Sequence, residues 1–286
     1  MFNLLKMDFH RLTRTVSTWI FLVLAVCLAV FCVAMTDTDI SALAAEGAGA
    51  AQTQTEITRN EDRSIGFSVE ANPEWVAGDM DIGEVAVMEM QSGLPLLICI
   101  LFTAVFVNAE QKNGYIKNIA GQFPNRGLLV LPKWLTVAFW VLVLLLAFVV
   151  TTVLAGFLLW GDRFNMGSVS ELLRVLGVQY LLHLGFASLI LFLCILTKST
   201  AGGMVPGILV SFGLCVPLYS AVNKAVTMLF PAADFDCSRY MLDGNISMAG
   251  FGAPSEVLLR AGLVGCAFAV VCTALSALVM QKRDIR

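Results

Sequence analysis

The chain has few charged residues for its length. Of its 286 residues only 14% are charged, whereas 58% are hydrophobic, and the mean hydropathy is +0.82. A soluble domain carries about 25% charged residues, so this composition excludes an ordinary soluble fold. Apolar runs of roughly 18 residues or more recur along the chain, as in helices that cross a bilayer. In the strands of a transmembrane β-barrel apolar and polar residues alternate, whereas these runs are continuously apolar, so a β-barrel is disfavoured.

The common motifs of catalysis are missing as well. There is no G-x-x-x-x-G-K-[ST] loop to cradle ATP phosphates, no H-E-x-x-H and no G-x-S-x-G. The chain has 2 histidines, and its 8 cysteines form no C-x-x-C pair, which argues against a zinc or redox centre. Most cysteines lie within apolar runs and are interpreted as small apolar residues. We therefore expect no catalytic residues, no bound metal and no cofactor on this chain, which is not an enzyme by itself.

Six apolar runs predict an all-α polytopic membrane protein with six transmembrane helices, and residues 1–286 are interpreted as one transmembrane domain. Residues 1–16 predict an amphipathic helix in the headgroup layer. A basic flank of the first span is one alternative interpretation, and a secretory signal cleaved near Ala44 is another. The predicted spans lie near residues 18–35, 88–108, 134–160, 172–196, 202–220 and 257–280.

Two long loops, residues 36–87 and 221–256, are predicted on the side opposite the termini. The first contains 11 acidic residues and 2 arginines without calcium-loop spacing, so we interpret it as solvated, with Trp75 packing on the membrane surface. Glu89 and Gln91 are expected at the outer end of the second span. Lys and Arg concentrate on the terminus side, and orientation follows such cations. Both termini are therefore predicted to be cytoplasmic in a multi-pass membrane protein.

The polar stretch from Asn108 to Trp134 separates two apolar spans. Residues 112–120 can form a short helix with apolar knobs and basic rims, which suits insertion into a groove on a soluble partner. The alternative is an ordinary basic loop that only fixes topology. The cations of the stretch are Lys112, Lys117, Arg126 and Lys133, and its acid is Glu110.

Polar residues inside predicted spans are the remaining candidates. Gln179 and His183 lie one turn apart in the fourth span, and intramembrane polar groups are often functional. We name them as candidates for a substrate pathway, although a neutral histidine bonded to a neighbouring helix is the commoner case. The glycines and prolines of the fifth span indicate a flexible or dimer-facing wall, or else plain close packing.

The chain resembles the type-2 ABC exporter permeases of bacterial peptide, bacteriocin and antibiotic-resistance exporters. The similarity includes the six-span plan and the large first outer loop. The N-terminal Leu4-Leu5-Lys6-x-Asp8-Phe9-x-Arg11-Leu12 is similar to the entrance helix of that family. The residues of the polar stretch that match are Glu110, Asn113-Gly114, Lys117-Asn118, Pro124, Arg126 and Lys133.

The resemblance implies an exporter subunit in the bacterial cytoplasmic membrane. Residues 109–133 would be the cytoplasmic coupling segment, which contacts a separate ABC ATPase that binds ATP and magnesium. A second copy of the permease or a related one would complete the unit, and membrane lipids, but no nucleic acid, would be further partners. The residues expected to couple to the ATPase are Glu110, Lys112, Asn113, Gly114, Tyr115, Ile116, Lys117, Ile119 and Arg126.

Two other classes of function stay open at this point. A sensor or immunity scaffold would bind a cationic peptide through the acidic outer loop without transporting it. An intramembrane enzyme would need paired catalytic groups at one depth, and His183 alone does not provide them. The expected activity is export of an amphipathic peptide, antibiotic or lipid by alternating access.

Overall fold

The computed structural model describes residues 2–49, 72–76, 78–112, 126–230 and 235–282. Within these ranges the chain forms helices joined by short 3-10 turns and one parallel pairing of two-residue strands. The strands are β1 (Met80–Asp81) and β2 (Phe164–Asn165). The helices are α1 (Phe2–Arg14), α2 (Val16–Gly49), α3 (Ile82–Gln91), α4 (Leu94–Lys112), α5 (Val130–Trp160), α6 (Val169–Thr197), α7 (Thr200–Ser211), α8 (Val216–Leu229), α9 (Leu242–Met248) and α10 (Ser255–Lys282).

Four helices, α2, α5, α6 and α10, are each long and apolar enough to cross a membrane. Two bent pairs, α3 with α4 and α7 with α8, pass the same test when each pair is taken as one span, which brings the number to six. The prediction of a mostly helical membrane protein is therefore confirmed. The number of spans is between four and six, and the six-span arrangement remains a prediction.

Several predicted boundaries were wrong. Helix α2 continues to Gly49, beyond the predicted end at Met35, because the Ala-rich stretch that follows favours a helix despite its acids. Helix α3 begins at Ile82, inside the predicted outer loop. The fifth apolar run is broken at residues 212–215, and α8 combines the end of that run with the first residues of the predicted loop at 221–256.

A glycine with positive φ lies at the bend of each of the two helix pairs. Gly93, at φ 86°, lies between α3 and α4, whose axes differ by 52°. Gly213, at φ 71°, lies between α7 and α8, which differ by 69°. Only glycine adopts this backbone region without strain. Pro95 occupies the first turn of α4, where a proline is tolerated.

The α6–α10 pair forms the most extensive helix contact among the described residues. The two helices cross where Gly185 meets Gly265. A Cβ atom on Gly185 would lie 2.8 Å from the Gly265 carbonyl oxygen, and one on Gly265 would lie 2.7 Å from the Leu181 carbonyl oxygen. Small residues allow helices in a membrane to approach this closely, so this crossing depends on both glycines.

A cluster of apolar residues, which we call the cap cluster, joins the ends of α2 and α5 that lie away from α1. Trp75 is buried there, which corrects its predicted place on the membrane surface, because Arg163 donates hydrogen bonds to the carbonyls of Trp75, Val76 and Gly78. The Trp160 indole donates to Asp37 across 2.8 Å. The cap cluster consists of Val33, Ile40, Trp75, Met80, Ile82, Val85, Trp160 and Phe164.

Candidate functional site

The predicted coupling segment lies only partly within the described residues. Its front end is the last turn of α4, which includes Glu110 and Lys112 as backbone. Its far end is a 3-10 turn that begins at Arg126, whose side chain is half-buried. The coupling residues that lie outside the described ranges are Asn113, Gly114, Tyr115, Ile116, Lys117 and Ile119.

Both ends of this segment are anchored in the protein core. Val107 and Asn108 are buried just before it, and Gly127 and Val130 are buried just after it. The turn at 126–129 packs against both α5 and α10. Lys133 is also buried, with 5% exposed, so it is not one of the surface cations that the sequence indicated. A displacement of residues 113–125 would therefore act directly on α4, α5 and α10.

Helix α1 packs on the same end of the molecule, where it contacts α5 most extensively. The Arg11 guanidinium donates to the Phe106 carbonyl oxygen at 3.1 Å and lies 4.2 Å from the Phe106 ring centroid, a cation–π geometry. The Phe9 and Phe139 rings lie 5.1 Å apart. Leu12 and Asp8 are buried by this packing. Helix α1 thus braces α4 one turn before the coupling segment begins.

Gln179 and His183 are fully buried in α6. The Gln179 amide nitrogen donates to the carbonyl oxygens of Ile246 and Ala249, at 2.9 Å each. These carbonyls lie at the end of the short helix α9, where carbonyl groups lack helical partners. His183 Nδ1 lies 2.7 Å from the Gln179 carbonyl oxygen, which can only accept, so Nδ1 carries the proton. Nε2 is buried and has no hydrogen-bond partner among the residues that the structure describes.

Gln91 of α3 makes similar bonds to the same helix. Its amide nitrogen donates to the Ile246 carbonyl oxygen at 3.2 Å and to the Ser247 carbonyl oxygen at 2.8 Å. Two glutamine side chains from different helices thus hold the end of α9 in place. In this conformation Gln179 therefore stabilises a loop helix, and its role in a substrate pathway remains a prediction.

Glu89 is a buried acid that sequence reasoning placed at a solvated helix end. Its side chain is fully buried, and Oε2 accepts a hydrogen bond of 2.7 Å from the Thr152 hydroxyl of α5. Its other oxygen, Oε1, has no hydrogen-bond partner within the described part of the chain. The 52° bend at Gly93 turns α3 inward, which explains the burial. The burial of Glu89 was not predicted from the sequence, because acids on both sides of the run Val85–Met88 are typical of the border of a loop.

The glycines of the fifth apolar run pack within the chain. A Cβ atom on Gly203 would clash with Cys194 of α6, and one on Gly207 would lie 2.6 Å from Ile190 and 2.8 Å from Ile100. Both glycines therefore serve the close contact of α7 with α6 and α4. Among the described residues no group of three His, Cys, Asp or Glu side chains could hold a metal ion.

The geometry of the described residues defines a mostly helical membrane protein. By sequence, residues 58–286 match the family described as "Protein of unknown function (DUF2705)". Since the match covers most of the chain, the chain belongs to this family. No curated protein matches it.

Proposed function

We propose that the chain is the permease subunit of an ATP-driven exporter of the ABC type. The observation that carries this proposal is the anchoring of the basic segment: α4 leads into it, the buried turn at Gly127 receives it, and α1 braces α4 beside it. A loop that only fixed topology would need cations but no such bracing on both sides.

In the proposed mechanism, ATP binding closes a dimer of separate ATPase subunits, with magnesium held there and not on this chain. The closure pushes on residues 109–133, with Ile119 and Tyr115 seated in a groove of the ATPase and Lys112, Lys117 and Arg126 at its rim. Because α4 and α5 pack on α6, the push rocks these helices between an inward and an outward opening, as in alternating access. The transported molecule is an amphipathic peptide, antibiotic or lipid.

This proposal includes six spans in a bacterial cytoplasmic membrane, with both termini in the cytoplasm. It counts each bent pair as one span and assigns the side of α1 to the cytoplasm, following the excess of Lys and Arg there. A second permease copy, or a related permease, would complete the transport unit. The cap cluster would then lie on the outer side.

The sensor alternative receives less support from the described acids. Glu84 accepts hydrogen bonds from Asn72 and from the Trp75 indole, at 3.0 and 3.3 Å. Asp81 caps α3 by accepting from the Gly83 amide at 2.6 Å. Asp37 accepts from Trp160. These carboxylates stabilise the fold at the cap cluster, which leaves fewer of them to bind a cationic peptide.

The test is a site-directed cross-link. A single cysteine in place of Ile119, in a background whose native cysteines are replaced, is treated with a thiol cross-linker in native membranes, and the adducts are identified by mass spectrometry. We expect an ABC ATPase to be captured, and its yield to increase when ATP is trapped with vanadate, since closure tightens the contact.

The control places the cysteine at Met166, an exposed residue next to β2 and far from α1. Its ATPase adducts should be at background level. Tyr115→Glu combined with Ile119→Glu should abolish the co-purification of ATPase while the permease stays folded. If the ATPase still co-purifies with that double variant, the proposed docking site is wrong.

A further inference from the structure

A groove runs between the start of α5 and the end of α10. It has a volume of about 570 Å³, within the roughly 300–1,000 Å³ of pockets that accept small molecules. The turn at 126–129 and α5 form one wall, and α10 forms the other. The residues of the walls are Gly127, Leu128, Leu131, Trp134, Ala269, Val270, Thr273, Ala274, Ala277, Leu278 and Gln281.

The two ends of the groove differ. At one end Trp134 packs near Ala269, and the Trp134 indole is fixed by a hydrogen bond of 2.7 Å to Ser188 Oγ. At the other end lie Gly127 and Gln281, whose neighbours in the chain are the cations Arg126 and Lys282. The lining of the groove is therefore mostly apolar, and we call the end next to these two cations its basic end.

Its length matches one leaflet of a bilayer. The α10 wall extends from Ala269 to Gln281, which at about 1.5 Å per residue is roughly 18 Å. Half of a hydrocarbon core of about 30 Å is about 15 Å. The walls expose Leu131, Val270 and Leu278. In the orientation proposed above, the basic end lies at the cytoplasmic surface, where anionic lipid headgroups concentrate.

We propose that this groove binds one anionic phospholipid of the cytoplasmic leaflet. Its acyl chain lies along the small-residue face formed by Ala274 and Ala277, and its phosphate is held near Arg126 and Lys282. A second copy of the chain fits less well. If two copies met groove to groove about a two-fold axis along the membrane normal, their basic ends would lie at the same depth and repel each other.

The test uses the purified full chain in nanodiscs that contain either phosphatidylglycerol or phosphatidylcholine with a photoactivatable group in the acyl chain. Labelled peptides are located by mass spectrometry. We expect adducts between Ala269 and Gln281 and around Leu131, with phosphatidylglycerol labelling several-fold above phosphatidylcholine. Arg126→Gln with Lys282→Gln should remove this preference and leave labelling by the acyl chain in place.

Ala274→Trp fills the groove, and we expect it to lower labelling there about tenfold, which corresponds to about 1.4 kcal/mol. Leu275→Trp is the matched control, because Leu275 is exposed on α10 but does not line the groove. Ala277→Leu repeats the test with a smaller side chain if Ala274→Trp does not fold.

Three results would overturn the proposal. They are equal labelling in the filled and control variants, labelling spread evenly around the exposed face of α10, and an efficient disulfide between two copies at Ala274→Cys. None of these readouts needs an ATPase, so the lipid site and the transport function can fail independently.

Discussion

The two bent helix pairs use the same backbone device in different surroundings. Gly93 and Gly213 each turn the chain with a positive φ. The α3–α4 pair is buried along most of its length, and its core residues include Val85, Met90 and Phe102. Helix α8, in contrast, contains no buried residue. The bend of α3–α4 is thus enforced by packing on both sides, whereas the bend of α7–α8 is held mainly by its own turn.

This difference identifies the surface of α8 as the one that lipid or another subunit covers. Leu218, Met228 and Leu229 of α8 are exposed apolar side chains, which in a membrane protein face lipid or another subunit. The glycines of α7 are already used against α6 and α4. Gly203 and Gly207 therefore pack within the chain, and the dimer-facing wall that the sequence suggested for the fifth apolar run stays a prediction, now for α8.

The largest expected effect is at the buried acid of the α3–α4 pair. Glu89→Lys places a cation at a fully buried position, and an unpaired buried charge costs several kcal/mol. We expect loss of folded protein in fluorescence-detected size-exclusion chromatography. Glu89→Gln should fold like the wild type, because its amide oxygen can accept from Thr152. The control Lys224→Glu reverses an exposed charge on α8 and should change the amount of folded protein little. Equal losses of folded protein for Glu89→Lys and Lys224→Glu would contradict the difference between the buried α3–α4 pair and the exposed α8.

A smaller effect is expected when valine replaces either bend glycine. A β-branched residue at positive φ costs about 1–3 kcal/mol at both sites. Gly93 is buried, so overpacking adds about 1–3 kcal/mol there, while Gly213 is only half-buried. Thermal unfolding in one detergent should therefore give a lower Tm for Gly93→Val than for Gly213→Val. The reverse order would mean that α7–α8 carries the tighter packing.

The smallest effect concerns the attachment of α8. Asn223 donates to Asp236 at 3.2 Å and accepts from the Cys237 amide at 2.8 Å. Asn223→Ala should loosen this attachment by about 1 kcal/mol, seen as faster hydrogen exchange in α8 with little change in Tm. Thr227→Ala, on the same helix but bonded only to its own turn, is the control.

Lowering the pH should have the same effect as Asn223→Ala, namely faster hydrogen exchange in α8. Partial burial raises the pKa of Asp236, but hydrogen bonds from Ser238 and Asn223 and the charge of Arg239 outweigh this and lower its pKa overall. Because the pKa of Asp236 is lower in the folded protein than its ordinary value of about 3.9, its ionised carboxylate stabilises the fold at pH values above this ordinary value. This stabilisation is lost as the pH falls through the lowered pKa. Hydrogen exchange in α8, corrected for intrinsic rates, should rise only in that range, and it should not do so in Asp236→Asn.

Sequence patterns predicted the helices whose apolar runs are uninterrupted. The predicted third, fourth and sixth spans agree with α5, α6 and α10 within a few residues, because a run of that length and apolarity has few other structures open to it. The break at residues 212–215 was missed, since Gly213 and Pro217 sit among apolar residues that fit a continuous span equally well.

The candidate site was less predictable. Gln179 and His183 were identified as buried polar residues, but Ile246 and Ala249, the partners of Gln179, lie about 70 residues away in the chain, and no local pattern records such a pairing. Glu89 was missed for the same reason, because its partner Thr152 lies 63 residues further along. Lys133 looked like a surface cation, since burial of a lysine at the start of a span depends on how the neighbouring helices pack.

The glycine crossing of α6 and α10 has a consequence for synthesis. The ribosome completes α6 well before α10, so the face around Gly185 has no helix to cover it while α7, α8 and α9 are being made. Until α10 inserts, this face and the carbonyls around it are open to other helices in the membrane. A chain that stalls before Gly265 would therefore present a ready surface for wrong pairing or for membrane proteases, and the protein commits to its fold only near the end of translation.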